Sequence, residues 1–150
     1  MNRWVIGWRL QLASPGYKKT EMGQETFFER KLEYEIDAWD LYSALNEGEQ
    51  IVVIDARSAE AYETEHILGA VNLPHREMSE QRTSEFKKDS LYVIYCDGIG
   101  CNASTKGALN MTQLGFRVKE LMGGLDWWKR DGYVTGGTQS TGGRGVSCGC

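Results

Sequence analysis

In Tyr92-Val93-Ile94-Tyr95-Cys96-Asp97-Gly98-Ile99-Gly100-Cys101-Asn102-Ala103-Ser104, an apolar run gives way abruptly to a glycine-punctuated loop. The first four residues are β-branched or aromatic, the composition of a buried strand. Helical character begins at Asn102 to Ser104, where short polar side chains suit a helix start. A strand that stops at a thiol and opens onto a helix N-terminus suits a reactive thiolate. Backbone N–H groups converge there, and the helix dipole sets partial positive charge beside the sulfur. The competing reading of Cys96 is a buried, inert thiol at a strand end.

Working outward, the spacing predicts a helix over 103–114, stopped by Gly115, then a last short strand over 117–122. Gly123-Gly124 makes a turn, and residues 125–130, with Trp127 and Trp128, form a final helix. Upstream, Ile51-Val52-Val53-Ile54 is continuously apolar and ends at Asp55, as in a strand covered on both faces. Ser58 caps a helix over 59–64, and 70–73 is another short strand closed by Pro74. Residues 76–89 are polar, with one or two helical turns around Met78 and Phe86. Asp37 is the expected N-cap of a helix over 38–46, with Trp39, Leu41, Tyr42 and Leu45 on its apolar face. Residues 25–32 carry Phe27, Phe28 and Leu32 at helical spacing. Strands alternating with helices imply an α/β fold: a parallel sheet with helices on both faces.

A chain of 150 residues, 41% hydrophobic and 25% charged, reads as one domain with its own core. A net charge of −4 without a basic stripe argues against a nucleic-acid partner. Four cysteines clustered toward the C-terminal half do not make a secreted disulfide framework, so a reducing, cytoplasmic setting is expected. Arg9 and Gln11 break the apolar start at Met1 to Trp8, and no run approaches the ~18 apolar residues of a membrane span. From Thr135 to Cys150 six residues are glycine and Arg144 alone is charged, the composition of a flexible tail ending in Cys148-Gly149-Cys150.

Three segments resemble one family. Val52-Val53-Ile54-Asp55-Ala56-Arg57, Tyr62 and Glu65-His66-Ile67-Leu68-Gly69-Ala70-Val71-Asn72-Leu73-Pro74 are similar to the N-terminal signature of rhodanese-like domains. The Tyr95-Cys96 loop, and Gly123-Gly124-Leu125-Asp126-Trp127-Trp128 with Gly132-Tyr133, resemble its active-site and C-terminal signatures. The resemblance covers residues 33–134, leaving 1–32 as an N-terminal extension and 135–150 as the tail. It implies a three-layer sandwich around a five-stranded parallel sheet and transfer of a sulfane sulfur through a cysteine persulfide. By position Cys96 is the nucleophile. Its persulfide would rest among the backbone amides of Asp97, Gly98, Ile99, Gly100, Cys101 and Asn102, while Asp55, Arg57 and His66 are scaffold or rim residues. No cofactor and no metal are implied. The partners are a small sulfur donor and a thiol acceptor, including a protein thiol, or cyanide; a homodimer is one of the oligomeric states left open.

The loop departs from the family in carrying no Arg or Lys, in placing an acid directly after the cysteine, and in its greater length. A thiosulfate dianion would lose a charge-assisted contact of roughly 1.5–3 kcal/mol there, so weak thiosulfate affinity is expected. Cys101 is either a second thiol that relays sulfur or resolves an oxidised Cys96, or a small residue packed under the loop. Cys148 and Cys150 are either acceptor thiols on a long tether or incidental; with His66 or His75 they fall short of a zinc set. A cysteine phosphatase or arsenate reductase on a related fold is a second reading, weakened because Asn102 stands where such loops place Arg. A non-catalytic regulatory module is a third.

Overall fold

The computed structural model describes residues 23–142. Helix α1 (Gln24–Tyr34) leads into β1 (Glu35–Ile36), α2 (Ala38–Asn46), β2 (Ile51–Asp55), α3 (Ala59–Thr64), β3 (His66–Ile67) and β4 (Val71–Asn72). A 3-10 turn at His75–Glu77 follows, then β5 (Leu91–Tyr95), α4 (Ala103–Gln113), β6 (Arg117–Leu121), α5 (Gly124–Arg130) and β7 (Thr135–Gly136). Five strands form one sheet in the order β1-β6-β5-β2-β4, every pair parallel. The expected α/β sandwich is therefore present, and the cysteine-bearing strand lies at its centre.

The two faces follow from the strand period of two. Along β5, Val93 and Tyr95 point into one core with Leu41 of α2, Leu125 and Trp128 of α5 and Tyr133. Tyr92 and Ile94 point into the other, with Met111 of α4, Leu73 and Phe116. Continuous apolar runs are what a strand buried on both faces requires. Capping follows the sequence as expected: Asp37 accepts from the Asp40 N–H at 2.8 Å and Ser58 from the Ala61 N–H at 3.3 Å. Gly107 of α4 lets the helix approach the sheet, since a Cβ there would lie 3.0 Å from Met78 Cε and 3.3 Å from Ile94 Cγ2.

The helix expected over 25–32 is present as α1, with Phe27, Phe28 and Leu32 exposed and no α1 residue buried. One expectation needs correction. Residues 135–142 do not behave as a loose tail. Strand β7 pairs antiparallel with β3, and buried Thr135 donates to Glu65 Oε1 at 2.8 Å while accepting the Thr141 N–H at 2.6 Å. Glycine-rich composition reflects close approach here: a Cβ at Gly136 would sit 2.8 Å from His66 Nε2. Trp4 and Trp8 in the N-terminal extension, and Cys148 and Cys150, lie outside the described residues.

Candidate functional site

Cys96 leaves the C-terminal end of β5, the middle strand, and its residue is only 1% exposed. In a parallel sheet this edge is where ligands bind, because the loops after the strands converge there. The carbonyl oxygen of Cys101 lies 3.0 Å from Sγ, Ser104 Oγ 3.2 Å and the Gly98 carbonyl 3.8 Å. Ser104 donates to Glu120 Oε1 at 2.7 Å, and Thr105 donates to the same oxygen at 2.8 Å. A hydroxyl has one hydrogen. With that hydrogen on Glu120, Ser104 turns a lone pair to the sulfur, and the thiol's single hydrogen has two acceptors to choose between, Ser104 Oγ and the Cys101 carbonyl.

This arrangement differs from the amide cradle expected of Asp97 to Asn102. Two loop carbonyls face Sγ, and what favours the thiolate comes from Ser104, by its backbone amide and by its hydroxyl once the hydrogen turns from Glu120 to the ionised sulfur. Burial pushes the Cys96 thiol up, Ser104 pulls it back down, and the neighbouring Cys101 thiol pushes it up again. The net direction is upward, opposite to that expected from a helix N-terminus alone. The physical reason is that desolvation penalises the thiolate on a side chain so deeply buried, and carbonyl dipoles offer it nothing.

The loop is held from outside. Leu125 and Asp126, in the first turn of α5, donate their amides to the carbonyls of Cys96 (2.9 Å) and Asp97 (2.8 Å). Gly124 has φ +57 and a Cβ there would meet Cys96 O at 2.3 Å. Only glycine permits that approach. Within the loop, the Cys101 N–H closes a turn on Gly98 O at 3.1 Å, leaving Ile99 exposed at the tip.

Asp97, the acid beside Cys96, is turned away from the thiol. Its carboxylate accepts from Arg57 Nη1 at 2.8 Å, while Arg57 Nε and Nη2 clasp Asp55 at 2.9 and 2.6 Å. Arg57 Nη2 also donates to the Glu65 carbonyl at 2.6 Å, and the Tyr95 hydroxyl donates to Asp55 Oδ2 at 2.7 Å. Burial works to lower the Arg57 pKa, and the bonds and charge of Asp55 and Asp97 outweigh it, raising it. Burial, reinforced by Asp55, raises that of Tyr95. Arg57 thus spends its donors on the frame. The His66 ring stacks on Tyr62 at 3.8 Å with Nδ1 2.7 Å from the Tyr62 carbonyl oxygen, also a structural position.

A hollow of about 450 Å³ opens over the thiol, lined by Cys96, Cys101, Ser104, Glu120, Gly124 and Trp127 among others. Its lining also includes Asp37, Glu35 and Lys31, and the Lys31 ammonium is bonded to Glu35. A larger hollow of about 830 Å³, between α1 and α4, contains no cysteine and lies away from this chemistry. Among the described residues no cluster of His, Cys, Asp and Glu forms a metal site, and no helix is long and apolar enough to cross a membrane. Sequence reasoning missed Ser104 and Glu120 as neighbours of the thiol. Ser104 was legible only as a capping residue, and Glu120 carried no signal at all. The Gly123-Gly124 pair was the one visible trace of the outside clamp.

A family model described as Rhodanese-like domain matches residues 37–131. The thiosulfate sulfurtransferase GlpE of Coxiella burnetii is 31% identical over 96 residues, covering 63% of this chain and 82% of that protein. An HTH-type transcriptional regulator of Mycobacterium tuberculosis is also 31% identical, over 86 residues; the match takes in 57% of this chain and only 38% of the regulator's length. Among solved structures, the BH2092 protein of Bacillus halodurans superposes with a TM-score of 0.75 at 39% identity, covering 77% of this chain and 85% of that one. The Alr3790 protein of Anabaena gives a TM-score of 0.63 at 31% identity, over 68% of this chain and 80% of that one.

Proposed function

The chain belongs to the rhodanese-like domain family, and on that premise we propose that it is a sulfurtransferase in which Cys96 carries a sulfane sulfur as a persulfide. The observation that carries this reading is the buried thiol at the C-terminal end of the central strand, bonded to Ser104 and opening on a hollow. Glu120, one hydroxyl away, takes the thiol proton through Ser104. The Cys96 thiolate attacks the outer, sulfane sulfur of a donor, the donor's S–S bond breaks, and the donor leaves as a thiolate that keeps the bond's electron pair. An acceptor thiolate, or cyanide, removes the outer sulfur in the second half-reaction.

The donor suggested by the hollow is a persulfide rather than thiosulfate. Glu35, Asp37 and Glu120 line it, and its cation, Lys31, is committed to Glu35. A dianion there forgoes a charge-assisted contact of roughly 1.5–3 kcal/mol, which corresponds to a loss of about 10- to 100-fold in affinity. The same lack of a free cation among the described lining residues speaks against a phosphatase.

The reading is tested by exposing a Cys101→Ser protein, in which Cys96 is the loop's remaining thiol, to inorganic polysulfide and to thiosulfate, followed by peptide mass mapping. A gain of one sulfur on the peptide containing Cys96, absent after Cys96→Ser, is expected, with polysulfide the better donor. No gain with either donor overturns it.

A further inference from the structure

The hollow holds two thiols, and the transfer cycle uses one of them. Cys101 lines the same cavity as Cys96 and is half-buried. Its carbonyl oxygen is 3.0 Å from Cys96 Sγ, which sets the Cys101 backbone against that sulfur. The Cys101 N–H closes a turn on Gly98 O, and both cysteines line the one hollow. The nearby Cys101 thiol also opposes ionisation of Cys96.

The geometry points to a second reaction at this site: Cys101 reduces the Cys96 persulfide internally, releasing hydrosulfide and closing a Cys96–Cys101 disulfide. This rests on the sulfurtransferase reading, since it needs sulfur on Cys96. The Cys101 thiolate attacks Cys96 Sγ, the Sγ–sulfane bond breaks, and a new Sγ–Sγ bond forms. The outer sulfur leaves with the electron pair of the broken bond as hydrosulfide. The proton given up by Cys101 passes to solvent or to that hydrosulfide. The sulfane sulfur is reduced, the two cysteine sulfurs are oxidised to one disulfide, and no outside oxidant enters. A low-molecular-weight thiol, oxidised in turn to its own disulfide, restores the dithiol.

Attack at the inner rather than the outer sulfur follows from the leaving groups. Thiol exchange expels the group of lower pKa faster. Attack at the outer sulfur would have to expel the Cys96 thiolate, which burial disfavours, whereas attack at Sγ expels hydrosulfide into the hollow. The internal thiol also has the advantage of concentration. A tethered group acts at an effective concentration on the order of millimolar or higher, and buried Cys96 is poorly placed for a bulky acceptor from solution.

The residues between Lys88 and Arg117 contain one tryptic site, after Lys106, so trypsin yields a peptide 89–106 that holds both cysteines and neither Cys148 nor Cys150. Wild type and Cys101→Ser are treated with inorganic polysulfide, desalted, alkylated and digested. Wild type is expected to show that peptide lighter by two hydrogens and unalkylated, with one hydrosulfide released per chain. Cys101→Ser is expected to keep an added sulfur on Cys96 and to release hydrosulfide roughly 100-fold more slowly. Cys101→Ala serves as a second variant should the serine perturb folding. If wild type and the variants retain the added sulfur equally, the internal reduction is overturned while the sulfurtransferase reading stands. If the variants take up no sulfur, both fall. Failure of the wild-type peptide to close its disulfide under diamide overturns the internal reduction from the other side.

Discussion

Ser104→Ala and Glu120→Gln are expected to move the Cys96 thiol in opposite directions. Ser104 touches Sγ at 3.2 Å and passes its hydrogen to Glu120 at 2.7 Å. Ser104 is also what pulls the thiol pKa down against burial. Removing the hydroxyl takes away a stabilising contact to the thiolate worth about 1.5 kcal/mol, so the pKa rises and the thiolate fraction below it falls about tenfold. Glu120→Gln acts through charge. The carboxylate is at most about 6 Å from Sγ, the two bonds laid end to end. At an effective dielectric of ~20 a unit charge at that distance is worth roughly 3 kcal/mol. Solvent reaching partly buried Glu120 reduces this to about 1–1.5 kcal/mol. Loss of the charge lowers the thiol, and the neutral glutamine oxygen holds the serine hydrogen less strongly than the carboxylate does. The assay is the pH dependence of iodoacetamide alkylation of Cys96, read on peptide 89–106. Shifts of the same sign in both variants, or none in either, would refute the Cys96–Ser104–Glu120 chain as the control of thiol reactivity.

The upward-shifted thiol also fixes a pH profile: wild-type alkylation of Cys96 should keep rising beyond the ordinary thiol value of ~8.5, and a plateau reached below it contradicts the burial argument. The same shift favours the folded state below the unfolded thiol value and is lost as pH rises through the folded one. Gly124→Ala should disable sulfur uptake while keeping the sheet's circular dichroism, because its Cβ collides with the Cys96 carbonyl at 2.3 Å and φ is +57; an active variant would show the clamp dispensable. Arg57→Ala leaves the buried Asp55 carboxylate unpaired and should cost about 3–5 kcal/mol in urea unfolding, against under 1 kcal/mol if the clasp is incidental. Glu65 is held low overall: burial raises it, and the bonds from Lys129, Thr141 and Thr135 more than offset that. Its contribution is present above the usual carboxylate range and lost as pH falls through the lower folded value. Thr135→Val should therefore weaken acid resistance and cost roughly 1.5–3 kcal/mol near neutrality; an unchanged acid-unfolding midpoint would place β7 outside the cooperative fold.

The parts legible beforehand share a cause. Apolar runs at 51–54 and 92–95, the caps Asp37 and Ser58, and the stop at Gly115 encode local structure through residues close in the chain. The parallel sheet followed from the alternation of strands with helices, while the strand order came only with the tertiary structure. What was not legible shares a cause too. The exposed face of α1 and the strand at Thr135–Gly136 depend on what lies opposite in space, Glu65 and His66 in the second case, some 70 residues away.

At the site the same division holds. Residue type and position within the stretch from Tyr92 to Ser104 singled out Cys96 as the candidate nucleophile, because a thiol between a buried strand and a helix start is a local pattern. The state of that thiol was decided only by the tertiary structure. Burial under the α5 clamp raises its pKa, two loop carbonyls face it, and a serine connects it to a glutamate on β6, the neighbouring strand. Hydrogen-bond geometry and desolvation depend on distances between elements, and a linear spacing of residue types does not carry those distances.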